Sequence, residues 1–221
     1  MGNVGLLYVG AVLFVNGCSL LGWVKGKDHA PMNLFVGVLQ VITPLYLIFT
    51  ADGDGAQILN ASGLFLFGFT YLYVFATQVW DLNGSGLGWF SGFVALCAVV
   101  YSYWNFASGG ADGVVFGVLW AAWCFLWFLF WMVLAMNRTS WTRWTGAVCL
   151  TEGLLTGFAP ALLYLGEPQW VTVRYGVATG VVLSALFILF YFIVKSVGPE
   201  SARHTAGAEG DGPDSLPGTP G

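Results

Sequence analysis

Long apolar runs alternate along this chain with short clusters of Gly, Pro, Asn and charged residues. Seven runs, at 5–23, 32–50, 58–79, 88–107, 113–136, 144–165 and 171–194, are long enough to cross hydrocarbon, which takes about 20 residues. In lipid each segment must satisfy its own backbone hydrogen bonds, so each run is predicted to be a helix. The breaks are short ("KGKDHAP", "ADGDGAQ", "NRTS"), so neighbouring helices are expected to run antiparallel. The fold class that follows is an all-α integral membrane protein, a seven-helix bundle over residues 1–196. From Gly198 the chain reads "GPESARHTAGAEGDGPDSLPGTPG", a composition expected of a disordered tail over 197–221.

Composition supports the choice of solvent. Apolar residues make up 57% of the 221 and charged residues 8%, against about 25% charged in a soluble domain. No basic cluster points to nucleic acid. No positive stretch precedes the first run, so it is read as a span and not as a cleaved leader. With seven spans, Lys25, Lys27, Arg138, Arg143, Lys195 and Arg203 fall on one side and only Arg174 on the other. Lysine and arginine mark the cytoplasmic side. The N-terminus is thus expected outside and the C-terminal tail in the cytoplasm. Cys18, Cys97, Cys124 and Cys149 lie inside apolar runs without metal-ligand spacing, so no metal or other cofactor is expected.

The chemistry sits in the fifth and sixth runs. At about 100° per residue, Phe116, Trp120, Trp123, Trp127 and Trp131 share one helical stripe. Such a stripe is either aromatic packing or the wall of a path, because membrane helix interfaces favour small residues and tryptophan belts favour helix ends. Glu152 lies near the middle of the sixth run, where a charge costs at least about 2.5 kcal/mol. It either pins helices together or faces a solute path. In the first run Leu6, Val9, Leu13 and Asn16 recur at helical spacing. In the third, Phe69 and Tyr73 stand one turn apart. Together these faces describe a narrow slot with aromatic and aliphatic walls and a few polar groups. Small flat uncharged solutes such as urea and short amides suit it: indoles hold their faces and polar groups meet their edges. Hydrated ions find no replacement for their water there.

The segments "LLYVGAVLFVNG", "PMNLFVGVL", "LFGFTYLY", "LWAAWCFLW" and "EGLLTGFAPALL", in this order, resemble the AmiS/UreI family of amide and urea channels. The likeness covers about residues 4–171, six spans. It implies a homohexamer in the bacterial inner membrane with one channel through each protomer. It also implies that Leu6, Val9, Leu13, Asn16, Phe69, Tyr73, Phe116, Trp120, Trp123, Trp127 and Glu152 line or brace the pore. The family pattern has tryptophan where this chain has Phe116. The acid-activated branch carries a long outer loop rich in histidine, whereas the first outer loop here is "ADGDGAQ" and neither His29 nor His204 is predicted outside. Histidine is the side chain that titrates in the physiological range. The expected function is therefore passive, ungated passage of short amides or urea, closer to the amidase-associated branch, with lipid as the surrounding partner. The alternative is a proton-coupled transporter using Glu152. No HExxH, GxSxG or phosphate-cradling loop is present, so an enzyme is not expected. The seventh run is expected at the protomer periphery.

Overall fold

The computed structural model describes residues 2–196; the predicted tail at 197–221 lies outside them. Seven membrane-length helices are present: α1 (Gly2–Leu20), α2 (Ala30–Phe49), α3 (Gly55–Val79), α4 (Ser85–Ser108), α5 (Gly110–Leu134), α6 (Thr139–Gly166) and α7 (Val173–Ser196). No strand occurs among the described residues. Each predicted run became a helix because hydrocarbon leaves the backbone no other partner. The boundaries follow local chemistry. The Asp54 carboxylate caps α3 by accepting from the backbone N–H groups of Ala56 and Gln57. Gly109, with φ of 71°, makes the single-residue turn between α4 and α5, a conformation that only glycine adopts without strain.

Consecutive helices are neighbours, and α6 returns to α1, so α1–α6 close a six-helix ring. The closing seam is built from glycine. Gly10 on α1 meets Gly153 and Gly157 on α6, Gly17 meets Leu150, and Gly146 meets Leu20. A Cβ on Gly157 would lie 2.3 Å from the Gly10 Cα, and one on Gly17 2.6 Å from the Leu150 nitrogen. Only hydrogen at these positions lets the backbones touch, which is how helices gain packing in lipid. Within α6, a π-turn at Gly153–Phe158 interrupts the α-helix just before Pro160. Proline has no N–H for the carbonyl four residues earlier and crowds it, and a wider turn accommodates that clash. Two hydrogen bonds fasten other neighbours: Ser102 to the Gly117 carbonyl between α4 and α5 (2.8 Å), and the Trp144 indole to the Phe187 carbonyl between α6 and α7 (3.0 Å).

Helix α7 stands outside the ring, against α5 and α6. Gly176 and Gly180 sit against Val114, Val115 and Val118 of α5, and most other side chains of α7 face outward. Large apolar residues such as Leu96, Phe93 and Phe192 are exposed around the whole circumference. This is the surface a bilayer requires. At the end carrying Lys25 and Lys27, the Lys27 ammonium pairs with Asp81 across two loops at 2.8 Å. Both partners are exposed, so the pair contributes little.

Candidate solute conduit

The inside of the ring holds two cavities in line. A vestibule of about 440 Å³ opens among the N-terminal ends of α1, α3 and α5 and the C-terminal ends of α2 and α4. Its wall combines Leu6, Val9, Phe67, Phe116, Trp120 and Trp123 with the amides of Asn3, Gln40, Gln57, Asn60 and Asn105. Beyond it lies a cavity of about 30 Å³ among Leu13, Asn16, Phe67, Thr70, Tyr71, Ser91, Trp123 and Trp127. That volume holds a water and nothing larger. Phe67 and Trp123 belong to both walls and so form the partition. The Phe67 ring lies 4.8 Å from Trp123, edge to face, and 4.7 Å from Trp127. The passage is narrowed by rings in contact.

Three of the vestibule rings are held from behind. The Trp123 indole N–H donates to the Thr156 hydroxyl at 2.9 Å, and that hydroxyl donates to the Glu152 carbonyl at 2.7 Å. Trp120 stacks on Tyr101 at 4.5 Å and 17°, and the Tyr101 phenol shares a 2.7 Å hydrogen bond with Ser62. Phe116 stacks on Tyr164, whose phenol donates to Asp112 at 2.9 Å. The Trp123 indole N–H thus has the partner that a buried indole favours.

Of the residues expected at the path, Leu6, Val9, Leu13, Asn16, Phe116, Trp120, Trp123 and Trp127 come together on one wall or the other of the two cavities. Three expectations need correction. Phe69 is 49% exposed on the outer surface, stacked on Phe65. Tyr73 is half-buried with its hydroxyl against Gly86 of α4. Phe67 and Tyr71 take the inward places. The cause is the phase of α3. Pro44 supplies no N–H to the Gln40 carbonyl, and Gly68 packs directly on it, with a Cβ there 2.9 Å from the Gln40 oxygen. With Gly68 turned to α2, residues 67 and 71 fall on one flank and 69 and 73 on the other. Glu152 is fully buried and lines neither cavity, and neither of its carboxyl oxygens has a protein partner. The close α1–α6 seam draws it into the ring wall.

Asn16 also differs from the expectation in detail. Its amide exchanges two hydrogen bonds with Asn33 of α2, at 2.9 and 2.7 Å, and Asn33 donates further to the His29 carbonyl at 2.9 Å. It therefore ties α1 to α2 while touching the small cavity. His29 itself is buried at the start of α2, its Nδ1 3.2 Å from the Ser19 hydroxyl. Burial pushes its pKa below the usual histidine value, against the opposing pull of a Gly26 backbone hydrogen bond and the Asp28 charge.

A closed ring of membrane-length helices around an aromatic-walled, amide-rimmed lumen defines a membrane bundle of the channel or transporter class. Residues 1–168 match the family described as "AmiS/UreI family transporter", and the chain belongs to the AmiS/UreI family. It is 48% identical over 165 residues to a Rhodococcus erythropolis protein assigned as transporter protein AmiS2, covering 75% of this chain and 79% of that one. It is 33% identical over 195 residues to an acid-activated urea channel of Helicobacter pylori, covering 75% and 97%. The cryo-EM structure of the Helicobacter pylori urea channel in its closed state superposes with a TM-score of 0.69 at 29% identity, over 75% of this chain and 97% of that one. The family match ends close to where α6 ends, so α7 lies beyond it.

Proposed function

We propose that the protein is a passive channel for small, flat, uncharged amides and urea, one path per subunit, in the bacterial inner membrane. The observation that carries this reading is the pair of in-line cavities inside the ring, divided by the Phe67–Trp123 partition. Flat solutes lie against an indole face as they pass, and each polar edge finds amides on the rim. An ion would lose hydration against an apolar aperture and gain nothing for it. The N-terminus faces outward and the helix ends bearing Lys25, Lys27, Arg138 and Lys195 face the cytoplasm, in keeping with the charge asymmetry. Subunits assemble as a homohexamer, and Glu152 braces the wall behind the aperture. The path is not acid-gated: His29, the histidine of the membrane domain, is buried on the Lys27 side and away from the vestibule.

Stopped-flow uptake of urea and acetamide into proteoliposomes at pH 5 and pH 7.5 tests this reading. Facilitated flux of similar size at both values is expected, and a many-fold rise on acidification refutes the ungated path. A second reading draws on one observation, the unpartnered Glu152 carboxyl at mid-helix beside a π-turn: a proton-coupled transporter with Glu152 as carrier. Accumulation of amide against its gradient, abolished by an uncoupler, distinguishes it.

A further inference from the structure

Three of the five vestibule amides share an orientation. Gln40 on α2 donates its Nε2 to the Gly5 carbonyl at 2.9 Å, Gln57 on α3 donates to the Leu47 carbonyl at 2.8 Å, and Asn105 on α4 donates to the Tyr101 carbonyl at 2.8 Å. In each case a backbone carbonyl takes an N–H of the side chain. Each amide keeps its oxygen, an acceptor, and its second N–H. Three helices thus line one cavity with side chains fixed in the same sense. Among them Gln40 is distinctive. It is 1% exposed, it lines the vestibule, and its Oε1 is buried without a partner. Gly5 makes room for it: a Cβ at Gly5 would lie 3.2 Å from both Oε1 and Nε2. A buried carbonyl oxygen left unsatisfied is costly in a fold that offers hydroxyls and amides nearby. A small swing of the Gln40 side chain toward the vestibule it lines lets an occupant bring an N–H to this oxygen and remove that cost.

We propose that Gln40 is the specificity-determining residue of the vestibule, an oriented acceptor that selects solutes carrying N–H groups over equally small solutes without them. The inference rests on the channel reading and adds to it the chemical feature that is recognised. A primary amide or urea approaching the partition places its apolar or π face on Trp120 and Trp123 and turns an N–H to the Gln40 oxygen. Its own carbonyl keeps its water until the rings close around it. A solute that only accepts hydrogen bonds has nothing to offer the Gln40 oxygen and is not favoured there. Water, which donates from either end, is served without the same dependence on one fixed oxygen.

The test compares wild type with Gln40→Met in proteoliposomes, with acetamide flux expressed relative to water flux through the same vesicles. Methionine keeps the length and removes both polar atoms. The ratio is expected to fall about tenfold, the factor given by loss of one hydrogen bond of about 1.4 kcal/mol. N,N-Dimethylacetamide, which has no N–H, is expected to pass wild type and variant equally. Gel filtration in detergent reports whether the variant is folded. Where Gln40→Met does not fold, Gln40→Asn withdraws the carbonyl by one carbon, keeps the site polar and is expected to lower the same ratio. Wild-type selectivity that survives in a folded Gln40 variant overturns the assignment of Gln40 and leaves the channel intact. Wild type that passes no amide above the lipid background overturns the channel reading instead.

Discussion

In the proposed conduit the Phe67–Trp123 partition depends on one buried hydrogen bond, and Thr156→Val removes it with almost no change of shape. Trp123 is 4% exposed and Thr156 fully buried, and the indole N–H donates to the hydroxyl at 2.9 Å. Valine leaves that N–H facing a methyl group. An orphaned buried donor costs about 1–3 kcal/mol. Membrane helices lower the figure, because the unfolded state in lipid also finds partners, so about 1–2 kcal/mol is expected here. For a chain of this size about 2–4 °C of melting temperature accompanies each kcal/mol, which gives a drop of about 2–8 °C. Thr156→Ser keeps the acceptor and is expected to melt close to wild type. Function should change along with stability. A freed Trp123 can leave the edge-to-face contact with Phe67, 4.8 Å between centroids, and the passage then discriminates less between urea and bulkier amides. The assay is thermal unfolding in detergent beside a flux panel in vesicles. A Thr156→Val variant that melts with wild type and keeps its selectivity refutes the claim that this bond fixes the aperture.

Two further outcomes follow from the same geometry. Gly157→Ala places a Cβ 2.3 Å from the Gly10 Cα and should lower the melting temperature through an overpacking cost of about 1–3 kcal/mol or more, whereas Gly166→Ala on the same helix meets nothing within 4 Å and should be neutral. For His29, burial lowers the folded pKa, so the unfolded chain binds its proton more readily and stability falls as pH drops below the ordinary value of about 6.5; His29→Gln should flatten the dependence of melting temperature on pH in that window.

The spans were legible because hydrocarbon turns length and apolarity directly into helices, and all seven runs appear within a few residues of the expected ends. The stripe on α5 was legible at Trp120, Trp123 and Trp127, whose helical spacing marks one face, whereas Trp131 lies against Trp89 and Gly92 of α4 instead. The phase of α3 was not. Aromatic residues at 67, 69, 71 and 73 allow two faces of equal merit by spacing alone, and the choice between them rests on Gly68 meeting the Gln40 carbonyl, a contact between helices. The π-turn in α6 had a local sign in Pro160, and the glycines at 146, 153 and 157 could have been matched to those at 10 and 17 as a close seam. Glu152 was conspicuous at mid-span, yet its burial in the wall follows from that seam. Gln40 and Asn33, the two amide side chains of a mostly apolar α2, carried a signal of the same kind as Glu152 and lie at the vestibule and at the Asn16 pair.

The central claim is that solute passes between the Phe67 and Trp123 rings inside each subunit. Its most direct test uses a cysteine-free background bearing either Phe67→Cys or Phe69→Cys, treated in vesicles with a small uncharged thiol reagent while acetamide and urea uptake are followed. Modification at position 67 should block most of the facilitated flux, and modification at position 69, on the outer flank of α3, should leave it unchanged. Block at 69 with free passage at 67, or no effect at either position with both thiols modified, would contradict a conduit at this place in the ring.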